Sequence, residues 1–264
     1  MLPFFLASIL LFKDQDVAGA VKLPVPAVQY RMNVASATSA PWVNANGWLI
    51  QRSPGRKVFY DLPKGAAELA MAEAHAYNAD AIVKIAPEDA DAYAKMNAFL
   101  QQVGPAGPQL GNIAVMDDGS VQAGEGLNLL HRKNLLYRMV SAPDSKADLN
   151  IKVDKGISNP LDFAAGVREK LSDDKRLIRV YGSAVVLANL TGDSGGHEKL
   201  HLINYGKKHV DGLRIRLRGS YVVRRVSIYE TAESKVDDFI TRDGGTEFSI
   251  PRVGLYTVID LEAK

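Results

Sequence analysis

A chain of 264 residues that is 47% hydrophobic and 23% charged, with 22 glycines and 12 prolines, can bury a sizeable core and is neither low-complexity nor collagen-like, so two globular domains are expected. Lys+Arg 32 against Asp+Glu 30 leaves a formal +2, too even a balance to make nucleic acid the expected partner, and no run of 18 apolar residues is present to form a stable membrane span. With no cysteine there is no disulfide, no thiolate nucleophile and no Cys-ligated zinc or iron–sulfur cluster.

Met1 to Phe12 (MLPFFLASILLF) is an apolar run of signal-peptide length, and Ala18-Gly19-Ala20 has the small-x-small form of a cleavage site, so residues 1–20 read as an export signal to the periplasm or the outside. Against this stand the absence of a positive charge before the run and the charges of Lys13, Asp14 and Asp16 behind it. The competing readings are a buried first strand or helix of a cytoplasmic protein, or a start chosen inside a longer chain.

From about residue 57 short β-rich runs alternate with helical ones, the pattern of βα units and a parallel sheet. Lys57–Tyr60 is a strand. The alanine-rich segment Lys64–Asn78 is a helix ending at an asparagine suited to the C-cap. Asp80–Ile85 is a second strand. Pro87 opens a helix whose apolar stripe is Tyr93, Met96, Phe99, Leu100 and Val103 and which Gly104-Pro105 stops. Asn112–Met116 is a third strand, Ser120 caps a helix through Lys133, and Leu135–Val140 is a fourth strand.

Beyond Pro143 the pattern changes to a short strand at Leu149–Val153, one helix over Pro160–Leu171, and then strands at hairpin spacing. Val185–Leu190 and Lys199–Tyr205 flank a Gly/Asp/Ser turn, and Leu213, Ile215 and Leu217 alternate with Arg214, Arg216 and Arg218 in strict period two. Gly219-Ser220 is expected to form a two-residue type II′ hairpin into Val222–Tyr229, Asp243-Gly244-Gly245 to turn into Glu247–Ile250, and Leu255–Leu261 to close the chain. The expected fold class is α/β plus all-β: a partial flavodoxin-like parallel sheet with helices, then a C-terminal antiparallel β-sandwich. The division is a 21–155 α/β domain with an N-terminal extension and a 156–264 linker helix and β-sandwich.

Four groups of residues carry candidate chemistry. Met116-Asp117-Asp118-Gly119-Ser120 places two carboxylates and a helix start at the carboxyl end of a parallel strand, where open α/β sheets bind ligands. Asp61 and Glu88 end the first two strands at the same edge, so Asp117, Asp118, Asp61 and Glu88 are candidates for general acid and base, with Ser120 as a ligand contact. The same residues also read as helix caps and first-turn acids. Trp42 and Trp48, in PWVNANGW, join flat aromatic faces to amides and suit sugar stacking as well as packing over a sheet. Arg214, Arg216 and Arg218, with Arg224 and Arg225, form a row that can dock an anionic polymer or simply be solvated β-surface. Gly192-Asp193-Ser194-Gly195-Gly196 resembles a serine-protease nucleophile loop, but no histidine stands upstream in a matching context, and a hairpin loop accounts for the same residues. His75, His131, His197, His201 and His209 show no metal-ligand spacing, so no metal and no cofactor are expected; His131, beside Arg132 and Lys133, offers positive charge to a helix C-terminus.

The order of parts, with IAVMDD leading through a helix to NLLY and then an all-β tail containing LHLINY and YTVIDL, is similar to the back half of trimeric β-galactosidase-type glycoside hydrolases. In that family a catalytic barrel is followed by a glutamine-amidotransferase-like α/β domain and a small β-sandwich. The resemblance covers about residues 50 to 264. It implies an accessory role without the barrel's paired carboxylates, and no amidotransferase activity, because the required cysteine is absent. The expectation is a non-catalytic, carbohydrate-associated accessory or binding protein whose partners are carbohydrate and further copies of itself through the α/β domain. The alternative is a small hydrolase, glycosidase-like or metal-assisted, using the carboxylates at the sheet edge.

Overall fold

The computed structural model describes residues 8–13, 17–30, 41–193, 195–231 and 234–264. The chain divides into two compact units, Met1–Pro108 and Gln109–Lys264.

In the first unit, β1 (Ile9–Leu11), β2 (Val21–Leu23), a hairpin of β3 (Ala27–Gln29) and β4 (Trp42–Asn44), and α1 (Gly47–Arg52) precede β5 (Val58–Asp61), α2 (Ala67–Ala76), β6 (Ala81–Lys84) and α3 (Ala90–Val103). The parallel sheet has the order β1-β6-β5-β2. Part of the N-terminal apolar run is therefore a strand, with Ile9 opposite Ala81 and Leu11 opposite Val83. Cleavage after Ala20 would remove it from β6. Ala81, Ile82 and Val83 are all buried, as a strand covered on both faces requires. Helix α2 buries seven of its ten residues, including Ala70, Met71, Ala72 and Ala74. Small side chains on nearly every side let it sit deep in the unit. Asn78 then reverses the chain at φ +51°, the left-handed conformation expected of it.

The second unit begins with β7 (Ile113–Asp117), α4 (Val121–Arg132), β8 (Tyr137–Met139), β9 (Leu149–Val153) and α5 (Pro160–Leu171). Its parallel sheet has the order β8-β7-β9. Gly111 leads into it where a Cβ would lie 2.6 Å from the carbonyl carbon of Tyr137, so the two backbones meet only because no side chain intervenes. Eight strands follow: β10 (Ile178–Tyr181), β11 (Val186–Gly192), β12 (His197–Asn204), β13 (Val210–Arg218), β14 (Tyr221–Ile228), β15 (Asp237–Arg242), β16 (Gly245–Val253) and β17 (Tyr256–Ala263). They form two antiparallel sheets, β10-β13-β16-β15 and β11-β12-β17-β14, whose facing side chains share one core containing Leu200, Leu202, Leu213, Ile215, Leu217, Phe248, Ile250 and Ile259. The mixed α/β plus all-β class read from the sequence is the observed one.

One connection differs from its sequence reading. Gly219-Ser220 does not close a hairpin, because β13 pairs with β10 and β16 whereas β14 pairs with β17. It is an arch from one layer to the other. Gly219 adopts φ +112° and its N–H donates to Gly244 O at 2.7 Å, while Thr246 Oγ1 accepts the Tyr221 N–H at 3.0 Å and donates to Gly219 O at 2.8 Å. A threonine on β16 thus satisfies backbone groups that a hairpin ladder would otherwise have paired. Asp243-Gly244 is a two-residue hairpin turn between β15 and β16, with both residues at positive φ (50° and 66°), as a type I′ turn demands.

Candidate functional site

Ile113, Ala114 and Val115 bury β7 at the centre of its sheet, which delivers Asp117 and Asp118 to the carboxyl edge. There the chain must turn into α4, and the carboxylates make the turn. Asp117 Oδ1 accepts the Gly119 N–H at 2.9 Å, Asp118 Oδ1 accepts the Ser120 N–H at 2.9 Å, and Asp118 Oδ2 accepts the Lys155 N–H at 3.0 Å from the loop after β9. Ser120 Oγ accepts the Ala123 N–H at 3.2 Å and caps α4. The Ser120 hydroxyl, followed by the Ser120 and Lys155 N–H groups, lowers the Asp118 carboxyl to about 2. Such a group is ionised at neutral pH, holds no proton to donate and is a weak base.

That shift has a signed consequence for stability. A carboxyl bound more weakly to its proton in the folded than in the unfolded chain stabilises the fold above the unfolded value of about 4, and the contribution disappears as pH falls towards 2. Denaturant titrations of wild type and Asp118→Asn should therefore differ most near pH 6 and converge near pH 2. A pH-independent difference would show that the bonds to Ser120 and Lys155 do not act through ionisation.

In the first unit Asp61 is exposed at the end of β5, 3.2 Å from Lys84 Nζ and 3.8 Å from Lys22 Nζ. Glu88 is exposed in a single 3₁₀ turn, and its neighbour Asp89 is buried, accepting the Gly65 N–H with both oxygens at 3.0 and 2.7 Å. Among the described residues no group of three His, Asp or Glu side chains gathers as a metal site.

Four titratable groups besides the candidate carboxylates, Glu73, Glu198, His131 and His201, are buried or partly buried. Glu73 on α2 is fully buried, accepting the Asn46 N–H at 2.6 Å, the Asn46 Nδ2 at 2.8 Å and the Tyr60 hydroxyl at 3.1 Å. Its only sequence signal is an acid within an alanine-rich helix. Glu198 on β12 is half-buried at one end of the sandwich, where burial raises its carboxyl above the usual range despite a hydrogen bond with Tyr221. His131 is buried, and that burial together with the Arg132 charge lowers it to about 3. It is therefore neutral at physiological pH and does not supply the positive charge the sequence assigned to it at the end of α4. His201, fully buried on β12, bridges Thr191 Oγ1 at 2.9 Å and the Tyr256 hydroxyl at 2.8 Å.

Trp42 on β4 and Trp48 on α1 are each half-buried. Of the two amides between them one is committed elsewhere: Asn46 is buried, and its Nδ2 donates to Pro24 O at 2.9 Å as well as to Glu73. The two indoles and the half-buried Asn44 therefore remain as groups that can meet a sugar. In the Gly192-Asp193-Ser194-Gly195-Gly196 loop, Ser194 lies outside the described residues; Asp193 Oδ1 accepts the Gly195 and His197 N–H groups at 2.7 and 3.2 Å, and Gly196 turns at φ +80°.

No protein-family model matches the sequence, and no curated protein matches it either. Among solved structures, the chain is similar to alpha-L-fucosidase isoenzyme 2 from Paenibacillus thiaminolyticus, with a TM-score of 0.57, 10% identity, and coverage of 80% of this chain and 61% of that one. A second similar structure is apo exo-carrageenase GH42 from Bacteroides ovatus, with a TM-score of 0.46, 8% identity, and coverage of 91% of this chain and 47% of that one. The chain spans about three fifths of the first protein and about half of the second. The likeness to the fucosidase is one of fold.

Proposed function

We propose that this chain is a non-catalytic, carbohydrate-associated module related to glycoside hydrolase domains, and that its parts correspond to the amidotransferase-like α/β domain and β-sandwich that follow the barrel in β-galactosidase-type enzymes. The observation that carries the reading is the use of the candidate carboxylates. Asp117 and Asp118 accept turn N–H groups, and Asp61 stands between two lysines. Glycoside hydrolysis needs one protonated and one ionised carboxyl facing a common bond, and an aspartate held at about 2 cannot be the protonated partner near neutral pH. The shared fold with the fucosidase supports the carbohydrate association. In this reading further copies of the chain associate through the α/β portion, and no cofactor is used.

A glycan array and a panel of chromogenic glycosides test the proposal together. Wild type is expected to bind glycans without turnover, and Trp42→Ala and Trp48→Ala to weaken binding about tenfold, the loss of one to two stacking contacts of about 1 kcal/mol. Turnover abolished by Asp117→Asn or Asp118→Asn would establish the hydrolase alternative instead. Export is a separate proposal resting on the first twenty residues: N-terminal sequencing of protein recovered from cells and medium should find a mature chain beginning after Ala20 if it holds, and Ile9–Leu11 retained if it does not.

A further inference from the structure

The outer face of the sheet β10-β13-β16-β15 presents an unusual charge arrangement. In β10 Ile178 is in the core, so Arg179 and Tyr181 face outward; in β13 Leu213, Ile215 and Leu217 are in the core, so Arg214, Arg216 and Arg218 face outward. The register sets Arg179 directly opposite Arg216, and Tyr181 opposite Arg214. Directly opposed like charges on one sheet face repel. Glu247 on β16 offsets only part of this, accepting Arg214 Nη2 at 3.1 Å and Arg216 Nη1 at 3.4 Å, and Arg218 pairs with Asp148. Arg179 forms no ion pair among the described residues, although its charge helps to hold the Asp174 carboxyl below the usual range, and its buried Nε has no hydrogen-bond partner. Gly245, which follows the β15–β16 turn, leaves room for the Arg216 guanidinium where a Cβ would collide with it. Beyond β10 the cations are paired: Asp173 binds both Arg168 and Arg176, offsetting the lowering of Arg176 by burial and by the charges of Arg168 and Arg179, and a cleft of about 330 Å³ is lined by Lys133, Arg168, Glu169 and Asp173.

We propose that this face binds a carboxylated polysaccharide, one of uronic acid residues, with the Arg179–Arg216 pair clasping a sugar carboxylate and Tyr181 lying beside the chain. The proposal rests on the carbohydrate-associated reading and names the class of glycan. Guanidinium forks match planar carboxylates in a bidentate geometry. The interleaved acids select for sparse charge: a duplex carrying a phosphate charge every ~1.7 Å of axis would bring several phosphates against Glu247 and Asp148, whereas a polyuronate brings one charge per sugar. An anion between Arg179 and Arg216 relieves their repulsion, so binding and stability are coupled.

Affinity electrophoresis of the whole chain through gels containing polygalacturonate, with dextran gels as the neutral control, tests this. Retardation in polygalacturonate alone is expected, with a rise in Tm on adding the polymer. Arg179→Gln should weaken binding at least tenfold while leaving the free protein as stable as wild type or more so, because it removes one of two opposed charges. Arg224→Gln with Arg252→Gln, exposed arginines on β14 and β16 that already pair with Glu262 and Asp211, should bind as wild type does. Unchanged retardation of Arg179→Gln, or tighter binding of a duplex oligonucleotide than of polygalacturonate, overturns the proposal. If a neutral glycan is bound through the tryptophans and polygalacturonate is not, this inference fails and the broader function stands; if neither is bound, both fail.

Discussion

Glu73→Ala is expected to destabilise the first unit by several kcal/mol, at about 1–3 kcal/mol for each buried donor left without its acceptor. The Glu73 carboxyl accepts from Asn46 N–H, Asn46 Nδ2 and the Tyr60 hydroxyl, and all of these groups are buried. An alanine leaves those donors without their acceptor and without water, which costs more than the bonds contribute net. The loss should propagate along a definite path. Asn46 starts α1 and holds the segment joining Trp42 to Trp48, while Tyr60 is the buried centre of β5. Glu73→Gln keeps the shape and one acceptor oxygen but turns an amide donor towards existing donors, so it should fall between wild type and alanine. Chemical denaturation followed by the fluorescence of the two tryptophans, both of which lie in this unit, reads the effect directly. A wild-type midpoint for Glu73→Ala would mean that the three bonds contribute nothing beyond what solvent supplies.

Phe248→Ala should cost the second unit a similar amount, about 3–5 kcal/mol, for a different reason. Phe248 is fully buried on β16, within the core shared by the two sandwich sheets. Its ring stacks on Phe239 of β15 at a centroid distance of 6.3 Å. Truncation leaves a void beside β16, which β13 and β15 hold by hydrogen bonds on both sides, so the backbone cannot readily close around it. Phe239→Ala provides the comparison: that ring is 41% exposed, and its removal should cost about 1 kcal/mol. Equal losses for the two variants would show that the inter-sheet space collapses on truncation and that Phe248 is not a packing centre.

The parts legible in the sequence were those governed by local periodicity. The stripe of α3, the Ser120 cap and the strict alternation along β13 each record which side of an element is wet, and the structure has them where the pattern places them. Strand partners were less legible. Two alternating strands joined by Gly-Ser read as a hairpin, yet β13 and β14 belong to different sheets, a choice made by β16 and β17 from further along the chain. β15 went unread as a strand because every one of its residues is exposed, leaving no inside and outside to alternate. For the candidate site, the positions of Asp117, Asp118 and Ser120 at a strand-to-helix turn were readable, and their use as backbone acceptors was one of the two readings they allowed. Glu73 was not readable at all, since the group that explains it lies 27 residues upstream. His131 shows the reverse error: its place near a helix end was clear, but its charge depends on a burial that no local pattern records.

The arch at Gly219-Ser220 bears on how the protein reaches its fold. From β10 onward the polypeptide visits one sheet, then the other, and returns to each, so that neither can be completed before the chain has passed through both. Early and late segments must meet simultaneously, which places the rate-limiting search after β17 has emerged and makes assembly of this half slow relative to helical neighbours. A ribosome-bound intermediate lacking β17 would expose the flanks of β12 and β14 together, the two strands it joins.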